Sequence, residues 1–262
     1  MSWYHFPFFA GISSLFLIIG SVLSYFKKNY CKKFLILGIL SLTCFIVYYW
    51  INIARLPFKT IGETRLWYAF FMSIIGYILY EKYTYKWILL YSNLFAILFL
   101  ILNVVFPEVH DKTLAPALQS VWFPPHVVIY IISYSLLGAS FIIAIKGYYY
   151  VNKKNYDKAK EVILVADNIV ESGFCLLTLG LIFGAFWAKQ AWGHYWTWDP
   201  KETWALLTWL IYLIYIHLRY NKKENIILPI ILLIAAFLIL LTAWFGINYL
   251  PSSQGSIHTY NS

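Results

Sequence analysis

Apolar residues run through this chain in long blocks separated by short polar connectors. Eight blocks are readable, at about 6–26, 34–54, 66–80, 87–106, 126–146, 168–188, 200–219 and 226–248. A helix needs ~20 residues to cross a bilayer, or somewhat fewer where the bilayer thins. The pattern therefore predicts an all-α integral membrane protein of about eight transmembrane helices, with the third block the shortest. The first block is expected to be retained and not cleaved as a leader. His5, Phe6 and Pro7 precede it where a leader carries a basic segment, and Lys27-Lys28 follow it.

Composition agrees: 61% of the 262 residues are hydrophobic and 12% are charged, which leaves little soluble mass. Charge then orients the blocks. Lys27, Lys28, Lys32 and Lys33 follow the first, and Lys82 and Lys86 the third. Lys146, Lys153, Lys154, Lys158 and Lys160 follow the fifth, and Arg219, Lys222 and Lys223 the seventh. These are 14 of the 20 basic residues, leaving 6 for the other side. Basic connectors favour the cytoplasm, so both termini are expected on the outer side. The net charge of +9 is mostly these anchors, so no nucleic-acid partner is expected.

Neither a repeat nor a low-complexity tract divides the chain, and a single polytopic domain over 1–262 is expected. Cys31, Cys44 and Cys175 lack CxxC spacing, which supports neither a disulfide framework nor a dithiol redox site. With no Gly-rich phosphate loop, nothing points to ATP hydrolysis.

Six of the 12 tryptophans fall between Trp187 and Trp209. Tryptophan collects at membrane interfaces in any case. That tendency explains one or two per segment end, but not Trp192, Trp196 and Trp198 beside Gly193 and His194. Several indoles in a short loop between apolar segments offer a stacking surface for a flat ligand. Asp199-Pro200-Lys201-Glu202 reads as a helix start that pins this loop to the mouth of the seventh helix. Asp199 is placed to cap, Pro200 fits the first helical position, and Glu202 falls three residues after the cap.

His5, His110, His126, His194 and His258 fall on or near the outer side, and only His217 lies toward the cytoplasm. A flat aromatic surface with imidazoles above and below it is what a haem needs. Taken singly, each histidine reads equally well as a solvated polar residue. His126 follows Pro124-Pro125, and a helix-mouth position gives its ring a fixed direction. His258 lies in the polar tail after the last block, and terminal tails are ordinarily loose. His217 lies ~27 Å from the Trp loop on an ideal helix. An ionisable residue at that depth is a functional candidate, yet near a helix C-terminus it can also cap carbonyls or meet headgroups.

The stretch Trp192 to Trp204 closely resembles the tryptophan-rich WWD signature of haem-handling proteins in cytochrome c biogenesis. Further stretches are similar to the CcsA (ResC) branch of that family. They are Ala188 through Arg219, Pro116-Ala117-Leu118-Gln119-Ser120 leading to His126, Gly246-Ile247-Asn248 with Ile257-His258-Thr259-Tyr260, and the outer connector Arg55 through Arg65. The resemblance covers a CcsA-like region over 51–262, with its loop at about 187–209, while residues 1–50 carry little signature.

The resemblance implies a haem-handling and export subunit of a cytochrome c synthase. Such proteins act with a CcsB (ResB)-like membrane partner to join haem to the CxxCH cysteines of apocytochrome c. It implies haem b as the bound group. His126 and His258 would be the axial ligands of its iron at the outer site, and His217 would serve an inner site. Trp192, Gly193, Trp196 and Trp198 would form the stacking loop, with Asp199 and Glu202 capping it. No residue is assigned to catalysis, and a thioether-forming step would belong to the assembled synthase. His194 stands outside the ligand set, with propionate contact as its alternative role. No fused partner domain is visible, so a separate CcsB-like protein is expected. Two rival readings are a CcmC-type chaperone that hands haem to a carrier, and an electron-transfer subunit with permanent haems.

Overall fold

The computed structural model describes residues 3–26, 28–107, 116–221 and 225–249. His110 and His258 lie outside them. Among the described residues there are eight α-helices and no strand. The helices are α1 (Phe6–Leu23), α2 (Lys28–Ile53), α3 (Ile61–Tyr83), α4 (Lys86–Val105), α5 (Phe123–Asn152), α6 (Tyr156–Trp192), α7 (Pro200–Asn221) and α8 (Ile227–Trp244). Single 3-10 turns occupy Pro116–Gln119 and Gly246–Tyr249. Each apolar block sits on its own helix. Six of the helices, all but α3 and α7, are long and apolar enough to cross a membrane. The chain is a multi-pass membrane protein.

Helices α3 and α6 run well beyond their apolar blocks. The third block, at 66–80, lies inside the 23-residue α3, whose first turn holds Glu63 and whose last holds Lys82. α6 is 37 residues long, ~55 Å on ideal geometry, and begins twelve residues before the apolar block at 168. Hydropathy reports which residues face lipid or core. Backbone hydrogen bonding continues past that limit wherever caps and helix-forming residues permit it.

The helix ends follow local chemistry. Pro7 lies in the first turn of α1, and Pro124 and Pro125 in that of α5, where a missing N–H costs nothing. α3 opens with a full capping box. The Thr60 hydroxyl accepts from Glu63 N, and the Glu63 carboxylate accepts from Thr60 N. α6 ends at Gly193, whose φ of +86° lies in the left-handed region open to glycine.

Two compact units divide the chain, residues 1–114 and 115–262. In the first, α1 packs on α2 and α4, and α3 packs on α4 and α2. Leu17, Cys31, Leu35, Tyr80, Leu89 and Ile97 form a buried hydrophobic cluster between these helices. Near the loop that enters α3 the core turns polar around Glu63, which is fully buried. Arg55 grips its carboxylate with two nitrogens, at 2.7 and 2.9 Å. Lys59 N and Tyr49 Oη donate to the same carboxylate, and Trp3 Nε1 donates to Tyr49 Oη. A buried carboxylate is tolerable only when its lone pairs are filled in this way. Burial, reinforced by the neighbouring Arg55 charge, pushes the Lys59 pKa below its ordinary value.

In the second unit α5 packs on α6 and α8, and α7 on α6 and α8. Phe141 stacks on Phe237 across α5 and α8, and Trp209 donates to Thr178 across α7 and α6. This unit carries the Trp loop, His126 and His217.

Candidate functional site

The N-terminus of α5, the C-terminus of α6 and the N-terminus of α7 contribute to one end of the second unit. His126 lies in the first turns of α5 and is partly exposed. Its Nδ1 is 2.8 Å from the carbonyl oxygen of Gly180 on α6. A carbonyl only accepts, so Nδ1 carries the proton and donates it, which places the ring lone pair on Nε2. Tyr130 packs on the same imidazole at 4.6 Å, and Trp187 stacks on it at 5.6 Å with 25° between planes.

Aromatic contacts extend from this histidine. Trp187 meets Trp192 edge to face at 4.8 Å and Phe123 at 4.9 Å. Its indole N–H donates to Ala117 O in the short 3-10 turn, which ties that turn to α6. On the other side Tyr130 stacks on Tyr134, and Tyr134 touches Trp244 of α8. His126 and Trp192 are thus joined through Trp187, a residue that sequence reasoning placed in the Trp-rich stretch but gave no role.

The loop beyond Gly193 has its own anchor. Asp199 Oδ1 accepts from Lys201 N at 2.9 Å. One oxygen of Glu202, Oε2, accepts from Thr197 N at 2.7 Å and Asp199 N at 3.2 Å, and also contacts the Thr197 hydroxyl. Both acids are buried, at 7% and 8% exposure. Between the two clamped amides sits Trp198, with a φ of +59° and 68% of its surface exposed. A bulky residue in the left-handed region is strained by ~1–3 kcal/mol and persists only where its surroundings over-determine it. Trp196 and Trp198 meet at 5.9 Å with 89° between planes. In this arrangement one of the two, not both, can lie parallel to a flat ligand. His194 is exposed, and Lys189 spans the turn by donating to Gly193 O and sitting over the Tyr195 ring.

At the far end of α7, His217 is exposed and its Nδ1 is 3.0 Å from Leu213 O, again a donor to a carbonyl. Close by, Asp167 of α6 receives Arg219 Nη2 at 2.7 Å, Arg219 Nε at 2.9 Å and the Tyr215 hydroxyl at 2.6 Å. Arg219 Nη1 also reaches Asn225 O before α8. The sequence marks Arg219 as a basic anchor at the end of the CcsA-like stretch and gives Asp167 no role. Asp167 stands one residue before the apolar block at 168, where an acid reads as part of a polar connector, and only the helix that continues through it brings it inside.

The donor set suits a haem. It offers an imidazole with its lone pair on Nε2, and indole and phenol faces around it. An exposed Trp stands on a fixed loop. His258, the other expected outer ligand, lies outside the described residues. No group of three or more His, Cys, Asp or Glu able to hold a bare metal ion occurs among the described residues.

Comparison with known proteins identifies the family. Residues 4–253 match the family model described as "Cytochrome C assembly protein". The cytochrome c biogenesis protein CcsA of Pelargonium hortorum is 30% identical over 94% of this chain and 90% of its own length. That of Glycine max is 31% identical over 88% and 86%. The protein of the same name from Chlamydomonas reinhardtii reaches 40%, over 56% of this chain and 44% of its own length. Among solved structures, the cytochrome c haem lyase CcmF superposes with a TM-score of 0.64 over 97% of this chain and 50% of its own. Its sequence identity is 15%, so it speaks for the fold. The chain belongs to the cytochrome c assembly protein family, within its CcsA group.

Proposed function

We propose that this protein is the haem-handling and export subunit of a cytochrome c synthase, and that it presents haem b on the outer membrane face for attachment to the CxxCH cysteines of apocytochrome c. The observation that carries this is the His126 imidazole, whose proton is committed to the Gly180 carbonyl and whose ring is stacked on Trp187 next to the Trp loop. This is how a ligating histidine is held: one nitrogen donates to a carbonyl while the other faces the metal. Membership of the CcsA group agrees with it.

In this reading haem is cargo. His217 takes it up at the inner side, and His126 and His258 hold its iron at the outer side. The loop of Trp192, Gly193, Trp196 and Trp198 covers the macrocycle, and Asp199 and Glu202 keep the loop in place. The chain supplies binding, orientation and electrostatics, while the reactive chemistry belongs to the haem vinyl groups and the apocytochrome thiols. All eight helices cross the bilayer, both termini lie outside, and the two units act as one polytopic domain from residue 1 to 262. A separate CcsB/ResB-like membrane protein completes the synthase. The membrane is the bacterial inner membrane, with the site on the periplasmic side.

The test is an absorption spectrum of the protein purified with and without that partner. A six-coordinate bis-imidazole haem is expected. His126→Gly or His258→Gly should abolish cytochrome c maturation and alter the spectrum, and added imidazole should restore part of both. Wild-type maturation in both variants would exclude these residues as essential ligands. Haem passed to a soluble carrier without thioether formation would favour a chaperone instead.

A further inference from the structure

Two glycines on α6 face α5 one helical turn apart, Gly180 and Gly184. Neither has a role in the reading above beyond the Gly180 carbonyl. A Cβ added at Gly184 would fall 2.8 Å from His126 Cε1 and 2.9 Å from His126 Nδ1. A Cβ added at Gly180 would overlap the Tyr130 ring. Real Cβ atoms do not approach this closely, so the two rings occupy space that only glycine leaves. Small residues four apart are a common way to bring helices close in a bilayer. Here the space is filled by the imidazole and by the phenol ring that packs on it.

We infer that Gly180 and Gly184 are positioning residues for His126: the notch they form admits the ring to α6, and the Gly180 carbonyl fixes its proton on Nδ1. The inference rests on the reading of His126 as an iron ligand and deepens it. His217 shows why the notch matters. Its Nδ1 donates to Leu213, four residues back on the same helix, so that bond orients the ring only relative to α7. His126 donates to a residue 54 positions away on a neighbouring helix. That bond registers the imidazole against the helix that carries Trp187 and leads into the Trp loop. Ring orientation, tautomer and loop are then set by one element. A ring that donates to a carbonyl is also a more basic ligand through its other nitrogen.

Ring-nitrogen chemical shifts of the haem-free protein, labelled at histidine and assigned by difference with His126→Gln, read the tautomer directly. The wild type should show His126 protonated on Nδ1. Gly184→Ala should lose that single tautomer and bind haem ~10–100-fold more weakly in a hemin titration, the usual cost of removing a ligand's outer hydrogen bond. Gly173→Ala is the packing control. Its Cβ would meet Leu137 at 2.8 Å between the same two helices, away from His126. It should leave tautomer and affinity unchanged.

The inference is overturned if wild-type His126 carries its proton on Nε2, a result that needs no variant to fold. It is also overturned if Gly184→Ala keeps the Nδ1 proton and wild-type haem affinity, or if Gly173→Ala weakens haem binding as much. Failure of the ligand reading looks different. There, His126→Gly retains haem with an unchanged spectrum while the Nδ1 tautomer and its response to Gly184→Ala persist.

Discussion

Glu202 holds the backbone on both sides of Trp198 with a single carboxylate oxygen, 2.7 Å from Thr197 N and 3.2 Å from Asp199 N. The residue between them is left in the left-handed region with its indole turned outward. The carboxylate that caps α7 therefore also presents the Trp.

This relationship ranks the loop variants. Glu202→Ala removes the acceptor of two backbone amides and one hydroxyl, and should release Trp198 into ordinary backbone. Asp199→Ala removes one amide contact and should cost about 1 kcal/mol, as a lost cap does. Haem retained per purified protein should fall further for Glu202→Ala than for Asp199→Ala, and Asp199→Asn should be mild. Trp198→Gly should relieve the backbone strain yet lose haem. If Trp198→Gly retains full haem with a more stable protein, the exposed indole has no ligand to meet.

A second prediction concerns the inner end. Arg219 and Asp167 form a two-pronged pair, with side chains 8% and 20% exposed. Breaking it strands a charge, so Asp167→Ala should destabilise by about 3 kcal/mol, the low end for buried pairs. Tyr215→Phe loses one hydrogen bond to that charge and should cost ~1.5 kcal/mol. Thermal unfolding in detergent and membrane abundance measure both. Equal, negligible effects would show that the Asp167 cluster contributes nothing to holding α7 on α6.

His217 is expected to act at haem uptake, since ~27 Å of helix separates it from the Trp loop. His217→Ala should lower the haem content of the outer site without changing the ligation of what remains. Normal occupancy would leave its contact with Leu213 O as a helix-end cap.

Orientation follows from the 14 basic residues gathered on one set of connectors against 6 on the other. Reporter fusions should place residue 155 in the cytoplasm and residues 195 and 258 outside. A cytoplasmic signal at 195 would put the Trp loop on the wrong side for delivering haem outward.

Much of this architecture is written in short stretches of chain. The apolar blocks marked every helix, because burying or bathing ~20 residues in lipid depends on composition alone. The helix start at Asp199–Glu202 was legible because a cap and its reach-back acid lie three residues apart. Gly180-Leu181-Ile182-Phe183-Gly184 was also on the page as a small-residue spacing, but nothing local said which rings it would admit.

What only the tertiary structure decided are contacts between distant residues. The His126–Gly180 bond joins positions 54 apart, and the Asp167–Arg219 pair positions 52 apart. α5 in particular carries no polar stripe to tell which of its faces meets which neighbour. Close packing of α5 on α6, and of α7 on α6, chose those registers. Trp198's left-handed backbone is likewise invisible in sequence, where a tryptophan predicts ordinary φ. It exists because two amides on either side of it converge on one buried oxygen.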